Sequence, residues 1–192
     1  MLNQIIVILS AYALGCFAVG YYLVRWRTGQ DLREIGSGAT GGRNSSRALG
    51  KSGAIITGFG DILKGVLAMW IALRMNVSMG TLAGVMVAVL LGHIFPIQLG
   101  WRGGKGLSAA FGAILMYDYR IALLTAVIAL ALWVIPRKRK AFLFLMGVAS
   151  SPLVAFLLKA PSEIVIGLVA VTVIILYAHQ VNLRESWNLI ED

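Results

Sequence analysis

Glycine, hydroxyl and arginine side chains are concentrated in one loop, between Gly36 and Arg47. Glycines let backbone N–H groups converge on an anion, hydroxyls add donors, and arginine supplies a planar charged fork. This composition predicts a phosphate site. The predicted binding residues are Gly36, Ser37, Gly38, Thr40, Gly41, Arg43, Asn44 and Arg47. A flexible basic loop that faces anionic lipid is the alternative for the same segment.

Cations also stand beside glycines or helix ends in two later segments. Lys105 follows Gly103 and Gly104 at the predicted start of a helix, where unpaired N–H groups favour negative charge. His179 and Asn182 are three residues apart, so both would lie on one helical face at the end of the last apolar segment. We expect the residues of both segments to belong to the phosphate site: Gly103, Gly104, Lys105, His179 and Asn182. For the last pair, a membrane-interface anchor is the alternative.

Asp61 and Lys64 place opposite charges three residues apart inside an apolar segment. Charges within a membrane helix are costly and indicate function by default. One hypothesis is that Lys64 reaches a phosphate in a polar cavity that adjoins the first loop, while Asp61 orients it. The alternative is a self-neutralising pair that packs the helices. There are also two interpretations of His93: it orients a reacting group, or it forms a hydrogen bond at a helix end.

The chain lacks the residues that several classes of chemistry require. The chain has eight carboxylates, two histidines that are far apart and one cysteine, so we expect neither a metal site nor a cofactor. It also lacks the Gly-x-Ser-x-Gly elbow of many hydrolases and a His-x4-Asp pair. The net charge of +9 is spread over short loops, which is typical of membrane topology and does not indicate a nucleic-acid partner.

The elements that must position these residues are membrane helices. Of 192 residues, 59% are hydrophobic and 13% charged, and the mean hydropathy is +0.84, which indicates an integral membrane protein with a single polytopic domain over 1–192. The N-terminal run has no basic segment before it, so we do not expect a cleaved signal. Apolar segments lie at about 3–24, 53–73, 77–100, 106–117, 121–136, 141–158 and 162–180.

Seven transmembrane helices are therefore predicted, although 106–117 is short. Its length as a helix is about 18 Å against a hydrocarbon core of about 30 Å, so it is either a crossing surrounded by protein or a re-entrant piece. With seven crossings, Arg74, Arg120 and Lys159 lie on one side. The other side collects Arg25, Arg27, Arg33, Arg43, Arg47, Lys51, Arg102, Lys105, Arg137, Lys138, Arg139, Lys140 and Arg184.

This charge asymmetry predicts an N-terminus outside and a C-terminus in the cytoplasm, because basic loops stay on the cytoplasmic side. The predicted phosphate-binding loops, at about 25–52, 96–106 and 179–184, then all face the cytoplasm. Glycines recur within the apolar segments and favour close helix packing.

In their order along the chain, these motifs resemble those of the bacterial acyl-phosphate:glycerol-3-phosphate acyltransferases. The motifs are Gly36-Ser37-Gly38 through Asn44 and Arg47-Ala48-Leu49-Gly50, Asp61-x-x-Lys64-Gly65, Gly92-His93-x-Phe95-Pro96 with Gly103-Gly104-Lys105-Gly106, and His179 with Asn182. The similarity covers nearly the whole chain. It implies a small seven-helix enzyme of the bacterial inner membrane that works in phospholipid biosynthesis.

The resemblance also implies a reaction. An acyl chain passes from an acyl phosphate to the 1-hydroxyl of glycerol 3-phosphate, which gives 1-acylglycerol 3-phosphate (lysophosphatidic acid) and phosphate. Ser37, Arg47 and Lys105 would hold phosphates, and the amides of residues 36–42 would stabilise developing negative charge. The attacking hydroxyl would lose its proton to a substrate phosphate oxygen, while His179 or His93 only orients groups. The expected partners are these two substrates and membrane lipid, and the expected state is a monomer.

The first motif departs from the family pattern Gly-Ser-Gly-Asn-x-Gly-Ala-Thr-Asn. This chain has Ala39 for the first asparagine, Gly42 for the alanine and Arg43 for the threonine. The tail departs as well, with Glu185 and Trp187. Either Arg43 replaces the lost phosphate contacts, or the acceptor differs from glycerol 3-phosphate. A diverged relative with another acceptor and a non-enzymatic anion or lipid transporter are therefore the alternative functions; clustering of the polar groups at one face favours catalysis over transport.

Overall fold

The regular structure in the computed structural model is helical throughout the residues it describes, 1–134 and 140–180. Within them the α-helices are α1 (Leu2–Cys16), α2 (Val19–Thr28), α3 (Gly42–Arg74), α4 (Met79–Ile94), α5 (Leu107–Tyr117), α6 (Tyr119–Val134), α7 (Lys140–Val148), α8 (Ser151–Leu157) and α9 (Ser162–Ala178). Short 3-10 turns cover Leu32–Glu34 and Ile97–Leu99. The all-helical prediction is confirmed for this part of the chain.

Four helical stretches in the described ranges are long and apolar enough to cross a membrane: Leu2–Thr28, Gly42–Arg74, Met79–Leu99 and Lys140–Leu157. Three shorter apolar helices are Leu107–Tyr117, Tyr119–Val134 and Ser162–Ala178. These stretches follow the apolar segments of the sequence, but three of them are interrupted; Met79–Leu99 breaks at Phe95 and Pro96. The first breaks between α1 and α2 at Phe17 and Ala18, and the fourth breaks between α7 and α8.

Helix α4 occupies the centre of the bundle. It packs against α1, α3, α5 and α9, and its side chains Val85, Val89 and Leu90 are fully buried. The contact with α1 is close because glycines face each other: a Cβ added to Gly15 would lie 3.0 Å from the Cα of Gly92. Small residues allow such backbone approach between membrane helices. The bundle therefore presents the end of α4, with His93, at its centre.

Helix α3 is bent at Gly50, where φ is +66° and ψ is −157°. Glycine populates positive φ without the penalty of a side chain. The short piece before the bend folds back on the longer piece, since a Cβ added to Gly42 would lie 2.9 Å from the carbonyl oxygen of Ala54. The bend thereby places Arg43 and Arg47 at the end of the bundle, on a piece that the apolar pattern did not include in the helix.

Candidate active site

Asn44 shapes the first loop from inside. Its side chain is buried, and its Nδ2 donates to the carbonyl oxygens of Leu32 at 2.9 Å and Ile35 at 2.8 Å. Its Oδ1 accepts from the backbone N–H of Ser37 at 3.2 Å. Both the Nδ2 and the Oδ1 of the Asn44 side chain therefore form hydrogen bonds that close the loop. In this structure Asn44 holds the loop that carries Ser37.

Arg47 lies directly against the same turn. A Cβ added to Gly36 would overlap the Nη1 of Arg47, and Gly36 has a φ of +52°, so only glycine suits this position. Nη1 also lies 3.4 Å from the Oδ1 of Asn44. The side chains of Ser37, Arg43 and Arg47 are exposed. The loop therefore presents a hydroxyl and two guanidinium groups at its surface.

Thr40 and Gly41 complete the loop in different ways. Thr40 is 1% exposed, and its hydroxyl is buried without a hydrogen-bond partner among the described residues. Its backbone N–H donates to the carbonyl oxygen of Gly103 at 3.2 Å. A Cβ added to Gly41 would meet no atom within 4 Å. Thr40 therefore joins the loop to the second glycine segment through its backbone, with its hydroxyl turned inward.

The second glycine segment folds back on the end of α4. Gly103 N donates to the Ile94 carbonyl at 3.0 Å, and Gly104 N donates to the His93 carbonyl at 3.0 Å. A Cβ added to Gly104 would overlap the Nε2 of His93. The glycines are therefore required for this close approach. Lys105 follows them directly, half-buried, two residues before α5 begins.

Arg33 makes a second connection between the two segments, and the sequence did not single it out. Its Nη1 donates to the Leu99 carbonyl oxygen at 2.8 Å, and its guanidinium lies 5.1 Å from the ring centroid of Tyr21. Gly38, five residues along the loop, lies close to Arg102, because a Cβ added to it would be 4.0 Å from the Nη2 of Arg102. The only available signal was the Asp31-x-Arg33 spacing, which suits a local ion pair.

His179 comes to the same end of the bundle. Its Nδ1 lies 2.9 Å from the Ile175 carbonyl oxygen, which can only accept, so Nδ1 carries the proton and Nε2 keeps its lone pair. Burial lowers the pKa of His179, the bond to Ile175 raises it, and the charge of Lys105 lowers it again. The ring is 5% exposed. The charge of Lys105 therefore acts on His179, while Asn182 lies outside the described residues.

Lys64 is fully engaged within the protein. Its Nζ lies 3.0 Å from the Oδ1 of Asp61 and donates to the carbonyl oxygens of Gly15 and Phe17, both at 3.0 Å. These carbonyls are released by the break between α1 and α2. The Nδ1 of His93 lies 3.5 Å from the same carboxylate oxygen. All three residues are at most 4% exposed. This placement corresponds to the packing alternative for the Asp61 and Lys64 pair.

An apolar cavity of about 270 Å³ opens beside the polar groups. It is enclosed by side chains of α3 and α5 to α9, and its lining includes Leu107 and Ser108, which follow Lys105 by two and three residues. Ile175, whose carbonyl binds His179, lines it as well. The second glycine segment, with Lys105, therefore adjoins an apolar space. This arrangement can bind a molecule with an anionic head and a hydrocarbon tail.

Comparison with known proteins agrees with this geometry. The family described as glycerol-3-phosphate acyltransferase matches residues 5–188. Glycerol-3-phosphate acyltransferase 1 of Desulfitobacterium hafniense (strain Y51) is 41% identical over 187 residues, which cover 96% of this chain and 91% of the relative. The glycerol-3-phosphate acyltransferase of Symbiobacterium thermophilum is 36% identical over 184 residues, with 96% and 91% covered.

Two solved structures share the fold. They are crystal structures of PlsY (YgiH), an integral membrane glycerol 3-phosphate acyltransferase, in its glycerol 3-phosphate form and its lysophosphatidic acid form. The first superposes with a TM-score of 0.88 at 27% identity, and the second with 0.84 at 26%; each match covers 97% of this chain and 92% of the other. The resemblance found in the motifs is confirmed. The chain belongs to the glycerol-3-phosphate acyltransferase family and is an integral membrane acyltransferase of phospholipid biosynthesis.

Proposed function

We propose that the protein transfers an acyl chain from an acyl phosphate to the 1-hydroxyl of glycerol 3-phosphate, with 1-acylglycerol 3-phosphate and phosphate as products. The observation that carries the proposal is the meeting of two cation-bearing glycine loops, through Thr40 and Gly103, beside an apolar cavity. Both substrates carry a phosphate, and one carries a hydrocarbon tail. The glycerol 3-phosphate and lysophosphatidic acid forms of the solved relative support the acceptor and the product.

The phosphate-binding groups of this proposal are those at the surface of the two loops and at the end of α9. Ser37, Arg43 and Arg47 are exposed on the first loop, and the charge of Lys105 acts on His179. The amides of Gly36 and Gly41 are the expected backbone donors, and Asn182 is expected to add a side-chain contact. Gly38, Gly103 and Gly104 shape the loops, because their N–H groups already donate to the carbonyl oxygens of Ile35, Ile94 and His93. Thr40, Asn44, Lys64, Asp61 and His93 hold the loops and helix ends in place.

The chemistry follows from an activated donor. The 1-hydroxyl oxygen of glycerol 3-phosphate attacks the acyl carbonyl carbon, and the bond from that carbon to the phosphate oxygen breaks. The electron pair leaves with inorganic phosphate, whose oxygen takes the proton of the attacking hydroxyl. A protein nucleophile is not needed. The protein aligns the two heads and stabilises the negative charge that develops on the carbonyl oxygen.

The tail of the donor is expected to enter the cavity that begins at Leu107 and Ser108. Burial of each methylene stabilises binding by about 0.8 kcal/mol. The carbonyl carbon would then lie at the mouth, between the apolar space and Lys105. An acyl phosphate fits this geometry because its phosphate follows the carbonyl directly, so head and tail reach their sites together.

The proposed membrane arrangement has seven crossings with the active site in the cytoplasm, the N-terminus outside and the C-terminus inside, in a bacterial inner membrane. It is supported by the seven apolar helical stretches, four long and three short, within the described residues. The active-site end carries Arg25, Arg27, Arg43 and Arg47 among other cations, whereas α3 ends at Arg74 and α6 begins near Arg120 at the opposite end. Such asymmetry favours a cytoplasmic site.

The test uses purified protein with labelled glycerol 3-phosphate and palmitoyl phosphate, in parallel with palmitoyl-CoA. We expect labelled 1-acylglycerol 3-phosphate from the acyl phosphate alone, and no product when unphosphorylated glycerol replaces the acceptor. Product from the CoA ester alone would reject the donor. Turnover of palmitoyl phosphate only with another acceptor would identify a diverged relative, and no turnover with any pair would leave transport as the function to examine.

A further inference from the structure

The apolar cavity extends along α5 and α6, away from the two glycine loops. Its mouth borders Leu107 and Ser108 near the cations, and the half-buried Phe144 and exposed Leu130 also line it. Its inner end is different. There Ala122, close to the start of α6, is 1% exposed, and Ile114 is 7% exposed. Helices α5 and α6 are joined at that end, between Tyr117 and Tyr119.

Helix α6 forms one wall of this cavity along its length. Ala122 and Ala126 both line the cavity and, being four residues apart, lie on one helical face. Four residues of helix correspond to a rise of about 6 Å, so Ala126 lies that much closer to the mouth. Their small side chains leave room for hydrocarbon. Ile114, near the end of α5, faces the inner part from the other side and is 7% exposed.

We propose that the inner wall at Ala122 and Ile114 limits the length of the acyl chain, so that this cavity selects donors by chain length. The inference rests on the proposed function, because it takes the tail of the donor to be the occupant. Every methylene that fits adds about fourfold in affinity. A methylene that meets the wall adds nothing or forces the carbonyl away from the site. The value of kcat/KM therefore rises with chain length up to a defined length and no longer rises beyond it. We call this length the break.

The experiment measures kcat/KM for a series of saturated acyl phosphates from octanoyl to octadecanoyl. Ala122→Phe should move the break to shorter chains, and Ala126→Phe should move it further, because its ring lies nearer the mouth. Ile114→Ala should move it to longer chains. The ratio of kcat/KM for the longest to that for the shortest donor should fall at least about tenfold in both phenylalanine variants. Val127→Phe is the matched control, since Val127 is on the same helix, 63% exposed and outside the cavity lining.

Each ratio compares donors within one preparation, so a partial loss of folded protein does not alter it. Unchanged breaks in all three cavity variants would overturn the inference, and so would loss of activity towards the shortest donor in both phenylalanine variants, because a length limit leaves short chains untouched. A shift of equal size in Val127→Phe would also overturn it. If the unaltered protein turned over no acyl phosphate, the proposed function would fail instead.

Discussion

Arg33 and Leu99 connect the two loops of the active site, through a hydrogen bond of 2.8 Å from Nη1 to the Leu99 carbonyl oxygen. On its other side, the guanidinium binds Asp31 with an Nη2 to Oδ2 distance of 2.6 Å. The hydrogen bond from Arg33 lowers the pKa of Asp31 to about 2, against the effect of burial. Because the carboxylate stays charged to low pH, the arginine is fixed from both sides. This side chain therefore helps to fix the first loop relative to the second, together with the hydrogen bond from Thr40 to Gly103.

Arg33→Ala should lower kcat/KM by roughly a hundredfold, because displacement by about 1 Å of groups that align two substrates has an effect of this size. Both kcat and the KM for glycerol 3-phosphate should change, since the loops move relative to each other. Steady-state kinetics measures both quantities. Arg27→Ala is the control: Arg27 lies on the ring of Trp26 and is exposed. Equal kinetics for the two variants would remove Arg33 from the positioning of the site.

Arg47→Ala and Lys105→Ala should each weaken transition-state stabilisation by about 2–5 kcal/mol, if both cations hold substrate phosphate away from bulk water. The value comes from the ratio of kcat/KM between variant and unaltered enzyme. Arg74→Ala removes a cation from the opposite end of α3 and should leave kcat/KM within about twofold. Turnover at the unaltered rate in the two loop variants would contradict the proposed phosphate contacts.

The sequence predicted the membrane fold and the meeting of the loops, since both follow from local patterns. Hydropathy located the helical stretches, and an alternating path through the bundle brings every second loop to the same end. Thr40 and Gly103 confirm that meeting. The bounds were less accurate: the sequence pattern began the second apolar segment near residue 53, whereas the corresponding helix, α3, begins at Gly42. Its first piece is polar and so carries no hydropathy signal.

The hydrogen-bond partners of Lys64 could not be predicted from the sequence, for another reason. The sequence shows a lysine three residues from an aspartate, which suits both a site and a structural pair. The choice depends on the carbonyls of Gly15 and Phe17, freed by a helix break 47 to 49 residues away. The break falls at Phe17 and Ala18, and neither residue is a glycine or a proline that would have predicted it. A contact between backbone groups at such separation leaves no pattern in composition or spacing.

His179→Gln tests whether this histidine orients the substrates or accepts a proton. Since the hydroxyl proton is proposed to pass to phosphate, the chemical step should slow by less than about tenfold in single-turnover measurements. A loss of several decades would make His179 the general base. The same variant carries a stability prediction. Burial lowers the pKa of His179, so the folded protein favours the neutral ring.

The sign of the pH effect follows from that shift. Above the ordinary value of about 6.5 the ring is neutral in both folded and unfolded chains, and the shift has no effect. Below it the unfolded chain binds the proton first, and stability falls. Between pH 7.5 and about 5, the drop in Tm in detergent should therefore be smaller for His179→Gln than for the unaltered protein. An identical drop in both would show that His179 does not contribute to it.

Lys64→Met should destabilise the fold by about 3–5 kcal/mol, because it leaves the carboxylate of Asp61 buried without its lysine. The carbonyls of Gly15 and Phe17 lose their donor as well. Asp61→Asn combined with Lys64→Met should recover part of the loss, since the double change leaves no buried charge. Thermal unfolding in detergent measures the difference. Lys51→Met, an exposed lysine on the same helix, is the control and should stay within about 0.5 kcal/mol.

Gly42→Ala restores the alanine of the family pattern and should nevertheless disturb this protein. The added Cβ would lie 2.9 Å from the Ala54 carbonyl oxygen, so the piece of α3 that carries Arg43 and Arg47 has to move. Overpacking of this kind costs about 1–3 kcal/mol, and Tm should fall while the KM for glycerol 3-phosphate rises. Gly58→Ala on the same helix is the matched control, because a Cβ there meets no atom within 4 Å and alanine favours the helix. If Gly42→Ala instead matched that control in Tm and KM, the close contact with Ala54 would not constrain the loop, and the departure from the family pattern would have no structural consequence.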